Sequence, residues 1–145
     1  GDYMRLRNVR GAKEKIESSK YIVLNYKELK GNYKSLFGND NPIHIEIGMG
    51  KGRFIVENAK KYPHINFIGI EKFDSVIVRA IEKIEEEDIP NLRLIRMDAQ
   101  EIVEVFDKEI ETIYNMFNGN ERLMGILTHR RIKTFAPMYD SIGYK

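Results

Sequence analysis

Hydrophobic and polar positions alternate from Ile43 through Ile45 to Ile47, directly after the turn-forming run Gly38-Asn39-Asp40-Asn41-Pro42. Period-two alternation behind a glycine- and proline-rich break predicts a first strand. The period then lengthens. Phe54, Ile55 and Ala59 suit a helix from Arg53 to Lys61 that Pro63 stops. Residues 65–70 (INFIGI) read as a second strand. Asp74 is placed to cap a second helix, which buries Val76, Ile77, Ala80, Ile81 and Ile84 at three- and four-residue spacing. Pro90 ends that region. Leu92, Leu94 and Ile95 predict a third strand, Ile102, Val103 and Phe106 a short helix, and residues 110–117 (IETIYNMF) a fourth strand.

Strands and helices therefore alternate as β-α-β-α-β-α-β. This order implies an α/β domain with a parallel sheet and helices on its faces. Right-handed crossovers make the sheet open and doubly wound. Ligands in such sheets bind at the carboxyl ends of the strands, near the switch in strand order. Upstream, residues 4–20 are polar and basic and suit partial helix, and residues 26–37 are mixed around a Gly31-Asn32 break. Residues 1–40 read as a basic N-terminal extension packing on the core, and 41–145 as the ligand-binding domain.

Composition narrows the chemistry. The chain has 145 residues, of which 42% are hydrophobic and 32% charged, enough for one packed domain with a charged surface. It lacks cysteine, which excludes disulfides, thiolate zinc sites and cysteine nucleophiles. His44, His64 and His129 lie far apart without ligand-like spacing, so no metal site is expected. No apolar run is long enough to cross a bilayer, and residues 4–7 (MRLR) lack a signal-peptide core. The expectation is a cytoplasmic protein without membrane contact. The net charge is only +2. Its distribution is uneven, with Arg5, Arg7, Arg10, Lys13 and Lys15 near the start and Arg130, Arg131 and Lys133 near the end. Basic ends can grip phosphates, but solvated tails explain the same pattern.

Three features fall at successive strand ends. Glu46-Ile47-Gly48-Met49-Gly50-Lys51-Gly52 follows the first strand and opens a helix. Glycine permits a sharp turn and close approach of a ligand to the backbone. The spacing is G-x-G-x-G, whereas a dinucleotide fingerprint reads G-x-G-x-x-G. The shorter form suits the methionine and ribose parts of S-adenosylmethionine (SAM) better than a pyrophosphate. Glu71 closes the second strand, where a carboxylate can accept from both ribose hydroxyls. Asp98-Ala99 follows the third strand and can meet the amino edge of adenine. Singly, each has a bland reading as a turn or a strand-end polar residue. Their order along the sheet favours a nucleoside cofactor, with SAM preferred to a nicotinamide.

These motifs carry a resemblance. Arg5-Leu6-Arg7, residues 37–42 (FGNDNP), 45–52 (IEIGMGKG), 67–71 (FIGIE) and 97–99 (MDA) are similar to successive motifs of the bacterial tRNA (guanine-N7) methyltransferases, from about Met4 to about Phe117. The resemblance implies a Rossmann-like class I methyltransferase fold, SAM as cofactor and tRNA as partner. It implies methyl transfer to N7 of a variable-loop guanine. By resemblance Glu46, Glu71 and Asp98 contact SAM, with Gly48, Met49, Gly50, Gly52, Lys72 and Ala99 completing the cofactor set. No catalytic residue is assigned. Guanine N7 has an available lone pair, so transfer needs alignment with the sulfonium methyl rather than a strong base.

The resemblance breaks after the fourth strand. There the family carries a segment of the form N-F-S-D-P-W-P-K-K-R-H, whereas residues 114–122 here read YNMFNGNER and the chain has no tryptophan. Residues 127–131 (LTHRR) resemble a later stretch of the family, and the sequence stops at Lys145. The expectation is a C-terminally incomplete fold that holds cofactor, with Arg122, Arg130 and Arg131 as candidate tRNA contacts. Two alternatives stay open: a non-catalytic SAM- or tRNA-binding fragment, and a class I methyltransferase for another substrate. In the usual strand order 3-2-1-4 the fourth strand is an exposed edge unless the tail covers it. An exposed edge leads to the expectation of a homodimer or of aggregation.

Overall fold

The computed structural model describes residues 11–115 and a strand at 133–135. In chain order the elements are a helix over 11–18 (α1), α2 (Lys34–Phe37), β1 (Ile43–Ile47), α3 (Arg53–Lys61), β2 (Asn66–Glu71), α4 (Asp74–Ile84), β3 (Leu92–Arg96), a 3-10 turn (Ala99–Glu101) leading into α5 (Ile102–Val105), β4 (Ile110–Asn115) and β5 (Lys133–Phe135). The strands form one parallel sheet in the order β3-β2-β1-β4-β5. The first four strands, their order and the flanking helices agree with the α/β reading.

The strands are more deeply buried than the alternation suggests. All five residues of β1 and all six of β2 are buried. Helices cover both faces of a parallel sheet, so the polar positions of an alternating strand are enclosed as well. One face is aliphatic: Ile43, Ile45 and Ile47 of β1 pack with Ile68, Ile70, Ile95 and Ile113 against α5. The other packs Phe67, Leu92 and Leu94 against Ile55 and Ala59 of α3 and Ile77, Ala80 and Ile81 of α4. His44 and Glu46 are buried alongside this second layer.

The N-terminal segment is tied to the sheet. Ala12, Ile16 and Tyr21 join the α3/α4 layer, while Val23 and Tyr33 join the other. Backbone bonds Leu94 N–H to Tyr21 O (2.8 Å) and Val23 N–H to Leu94 O (3.0 Å) run along the outer side of β3. The Tyr21 hydroxyl donates to Glu87 O (2.6 Å) and the Tyr33 hydroxyl to Tyr26 O (2.6 Å), so each buried ring satisfies its polar tip.

Three local expectations change. Phe73, not Asp74, is the N-cap of α4. Asp74 occupies the first turn, and its carboxylate accepts from Arg96 Nε at 3.1 Å. The carboxylate still meets the positive end of the helix, but from inside it. Val76 is not in the core; it faces the cavity described below, and Val78 takes the buried place. β4 is also not an open edge. β5 pairs parallel with it through Thr112, Ile113 and Tyr114, so the tail supplies the missing neighbour.

Candidate functional site

The loop after β1 is built by glycines. Gly48, Gly50 and Gly52 have φ of 70°, 60° and 81°, a region other residues enter only with strain. The N–H groups of Gly48 and Met49 both donate to Ile70 O, at 2.9 and 3.0 Å, which lays the loop over the end of β2. Met49 needs room there. A Cβ on Gly69 would lie 2.4 Å from the Met49 sulfur and 3.1 Å from Leu94, so glycine at 69 is what lets the loop settle on the sheet.

Glu71 ties the loop to the next helix. One carboxylate oxygen accepts from Gly50 N–H and the other from Phe73 N–H, both at 3.1 Å. A carboxylate offers about four acceptor positions, so roughly two remain for a ligand. Lys72 follows, with its ammonium 5.0 Å from the centre of the half-exposed Phe73 ring. On the far side, Asp98 caps the 3-10 turn by accepting from Gln100 N–H at 2.9 Å.

A cavity of about 490 Å³ opens between these groups. Gly48, Glu71, Lys72, Asp98 and Ala99, all expected at the site, line it. Glu46, Met49, Gly50 and Gly52 are not in its wall. The three loop residues belong to the turn after β1, and Glu46 is buried in β1 with the Ile55 N–H of α3 as its backbone partner. Arg122, Arg130 and Arg131 lie outside the described residues. Ile47, Ile70 and Met97, which belong to the quoted motifs but were not assigned to the site, also line it, and four lining residues lay outside the motifs: Phe73, Val76, Gln100 and Asn115. For Phe73, Gln100 and Asn115 the signal was positional, because each sits at or shortly after the carboxyl end of a strand, where an α/β ligand site is expected; Val76 lies in the first turn of α4. Among the described residues no cluster of histidines and carboxylates suits a metal ion, and no helix is long and apolar enough to cross a membrane.

Glu46 is the most unusual group here. It is 1% exposed, and its Oε1 has no hydrogen-bond partner. Burial pushes its pKa well above 4.5, only partly opposed by the backbone N–H of Ile55. Next to it on the same face, His44 bridges two groups of β4, with Nδ1 3.0 Å from the Tyr114 hydroxyl and Nε2 3.0 Å from Glu111 Oε1. Burial raises the Tyr114 pKa.

The strand order, the glycine loop after β1, the carboxylate closing β2 and the Asp-Ala step after β3 together define a Rossmann-like class I methyltransferase fold. Solved structures agree on the fold: a Methanococcus maripaludis protein described as a "putative s-adenosyl-l-methionine-dependent methyltransferase" superposes with TM-score 0.54 over 86% of this chain and 59% of its own, at 19% identity. Residues 40–118 match the family described as "Putative methyltransferase". The chain is 51% identical to the tRNA (guanine-N(7)-)-methyltransferase of Bacillus cytotoxicus over 98% of its own length and 67% of that protein. It is 52% identical to the enzyme of the same name from Geobacillus sp. over 79% of its own length and 53% of that protein. The chain belongs to the tRNA (guanine-N7)-methyltransferase family, and spans between about half and two thirds of the length of these relatives.

Proposed function

We propose that this chain carries the cofactor half of a SAM-dependent enzyme that methylates N7 of a variable-loop guanine in tRNA. The observation that carries the reading is the cavity, where Gly48, Glu71 and Asp98-Ala99 converge from the ends of three adjacent strands. Its size falls within the range of about 300–1,000 Å³ usual for small-molecule sites. The donor set suits SAM: open acceptor positions on Glu71 for the ribose hydroxyls, the segment 98–99 for the adenine edge, and backbone at Gly48 for the methionine portion. When bound, the cofactor supplies an electrophilic methyl group on a sulfonium. The chain's own groups orient it and exclude water. Glu46 ties β1 to the start of α3 through the Ile55 N–H, Met49, Gly50 and Gly52 give the loop its path, and Lys72 brings a cation to the rim.

The partner in this reading is tRNA, gripped through Arg122, Arg130 and Arg131 and the basic N-terminal segment, and the compartment is the cytoplasm. Residues 1–40 act as an extension on a cofactor-binding unit of 41–145. A homodimer through an exposed sheet edge stays part of this reading, with β5 rather than β4 as the edge strand, because β5 pairs β4. Pairing of two copies through the outer side of the three-residue β5 is the form that remains, and sedimentation at high concentration reads it. A second reading is favoured by one observation, the sequence NGNER at 118–122 in place of the family's Asp-Pro-Trp-Pro: the chain holds cofactor without turnover.

Calorimetric titration with S-adenosylhomocysteine tests the cofactor reading, and methyl incorporation into unmodified tRNA tests the activity. Binding with incorporation supports the enzyme. Binding without it selects the non-catalytic reading. A folded chain that binds neither ligand nor tRNA overturns both.

A further inference from the structure

Asp74 and Arg96 sit between two cavities. Phe73 and Met97 line the cavity described above, whereas their chain neighbours Asp74 and Arg96 line a second one of about 250 Å³. The N-terminal segment contributes Ile16, Val23 and Tyr26 to that second cavity. Arg96, the last residue of β3, donates from Nε to Oδ1 of Asp74, the first residue of α4, at 3.1 Å. The two side chains are 50% and 29% exposed, so the pair is only partly screened by solvent.

The pair joins the two chain segments that wall the first cavity, Phe73 with Val76 and Met97 with Ala99. Glu71 already holds one residue of each. Its carboxylate accepts from the Phe73 N–H (3.1 Å) and its backbone carbonyl from the Met97 N–H (3.2 Å). The Asp74–Arg96 pair adds a second tie, one residue away on each segment. It is placed where a tie is needed. No side chain caps α4, and the Phe73 ring is 55% exposed, so neither a cap nor full burial holds Phe73. We propose that Asp74 and Arg96 are positioning residues of the cofactor cavity: their ion pair sets the spacing of Phe73 and Val76 against Met97 and Ala99, and with it the affinity for the cofactor. Neither Asp74 nor Arg96 lines the cofactor cavity, so they act through the wall and not by touching the ligand. This proposal rests on the cofactor reading given above.

The test is calorimetric titration of the full chain with S-adenosylhomocysteine for the unaltered protein, Asp74→Ala, Arg96→Met and the double variant. Each single change removes the same pair, so each is expected to weaken binding by about threefold to fivefold, the size of one partly exposed ion pair. The double variant should be no weaker than either single one, because the pair can be lost only once. The gap between the unaltered chain and the variants should close in high salt, which screens the pair. If one single variant fails to fold, the other reads the same loss and the same salt dependence. A merely structural pair would lower the urea midpoint and leave the affinity of the folded chain unchanged, which overturns the proposal. Losses that multiply in the double variant also overturn it, since the two residues would then act separately. If the unaltered chain binds and the single variants match it, this proposal fails while the cofactor reading stands; if the unaltered chain binds nothing, the cofactor reading has failed and the proposal with it.

Discussion

The two ends of the sheet treat buried polar groups differently. At the amino ends of the strands, Asn91 donates from one amide nitrogen to the carbonyls of Ala59, Tyr62 and Ile65, at 2.9, 3.1 and 2.8 Å. It thereby closes the end of α3 and the turn into β2. Asn66 donates to Asn39 Oδ1 at 2.7 Å, tying down the turn before β1. These amides hold the chain's own backbone. Buried oxygens without a partner occur at both ends, Asn66 Oδ1 at the first and Gln100 Oε1 and Glu46 Oε1 at the other, but at the carboxyl ends Glu71 also spends only part of its accepting capacity on the backbone. Polar groups that close on the protein stabilise it. Glu71, which lines the cavity, keeps accepting capacity that a ligand can use.

Substitutions at the two ends should therefore separate stability from affinity. The largest effect is expected for Asn91→Ala, which takes one donor from each of three carbonyls and should lower unfolding free energy by about 2–4 kcal/mol. In urea titration the loss should be plain, while S-adenosylhomocysteine binding by the folded fraction stays within about twofold. A large affinity loss would break the comparison. Glu71→Ala is the converse. We expect it to weaken S-adenosylhomocysteine binding by about 1–3 kcal/mol through lost charge-assisted bonds, with a smaller loss of stability. Unchanged affinity would mean that Glu71 serves only to tie Gly50 to Phe73.

Glu46 sharpens the comparison through pH. Its folded-state pKa lies above the ordinary value of 4.5, so the folded chain keeps a proton that the unfolded chain releases. Stability should fall as pH rises above 4.5, until the buried carboxyl itself ionises. Glu46→Gln should flatten that slope in thermal melts from about pH 4.5 upward. A slope that persists in the variant would assign it to other groups. The smallest effect is expected at Lys15→Ala, which removes a surface ion pair to Glu82 (3.1 Å) with both partners substantially exposed. The change should be under about 0.5 kcal/mol and should vanish in high salt.

Much of this was legible from residue order. The alternating isoleucines of β1, the glycine run behind them, Glu71 closing β2 and Asp98-Ala99 after β3 are local signals. Each depends on a few neighbouring residues and their backbone preferences, so the four strands and most of the cavity's polar wall could be placed without coordinates. The resemblance to the guanine-N7 family also rested on these contiguous motifs.

What depended on distant segments was not legible. Whether Asp74 caps its helix is decided by Arg96, 22 positions away, which draws the carboxylate into an ion pair. Whether Val76 is core or cavity wall depends on how α4 rotates against β2 and β3, since Val76 and Val78 are equally apolar. Gln100 reaches the cavity only because the 3-10 turn directs it there. Tyr21 and Tyr33 look like surface aromatics in a polar segment, yet pack at 2% and 0% exposure once that segment lies along the sheet. The sequence alone determined the strand-loop-helix units, because hydrophobic period and glycine freedom act within a few residues. The tertiary structure alone decided that Glu46 is buried with one oxygen lacking a partner and which residues line the cavity, because burial and hydrogen bonding are settled by whichever segments meet across the fold.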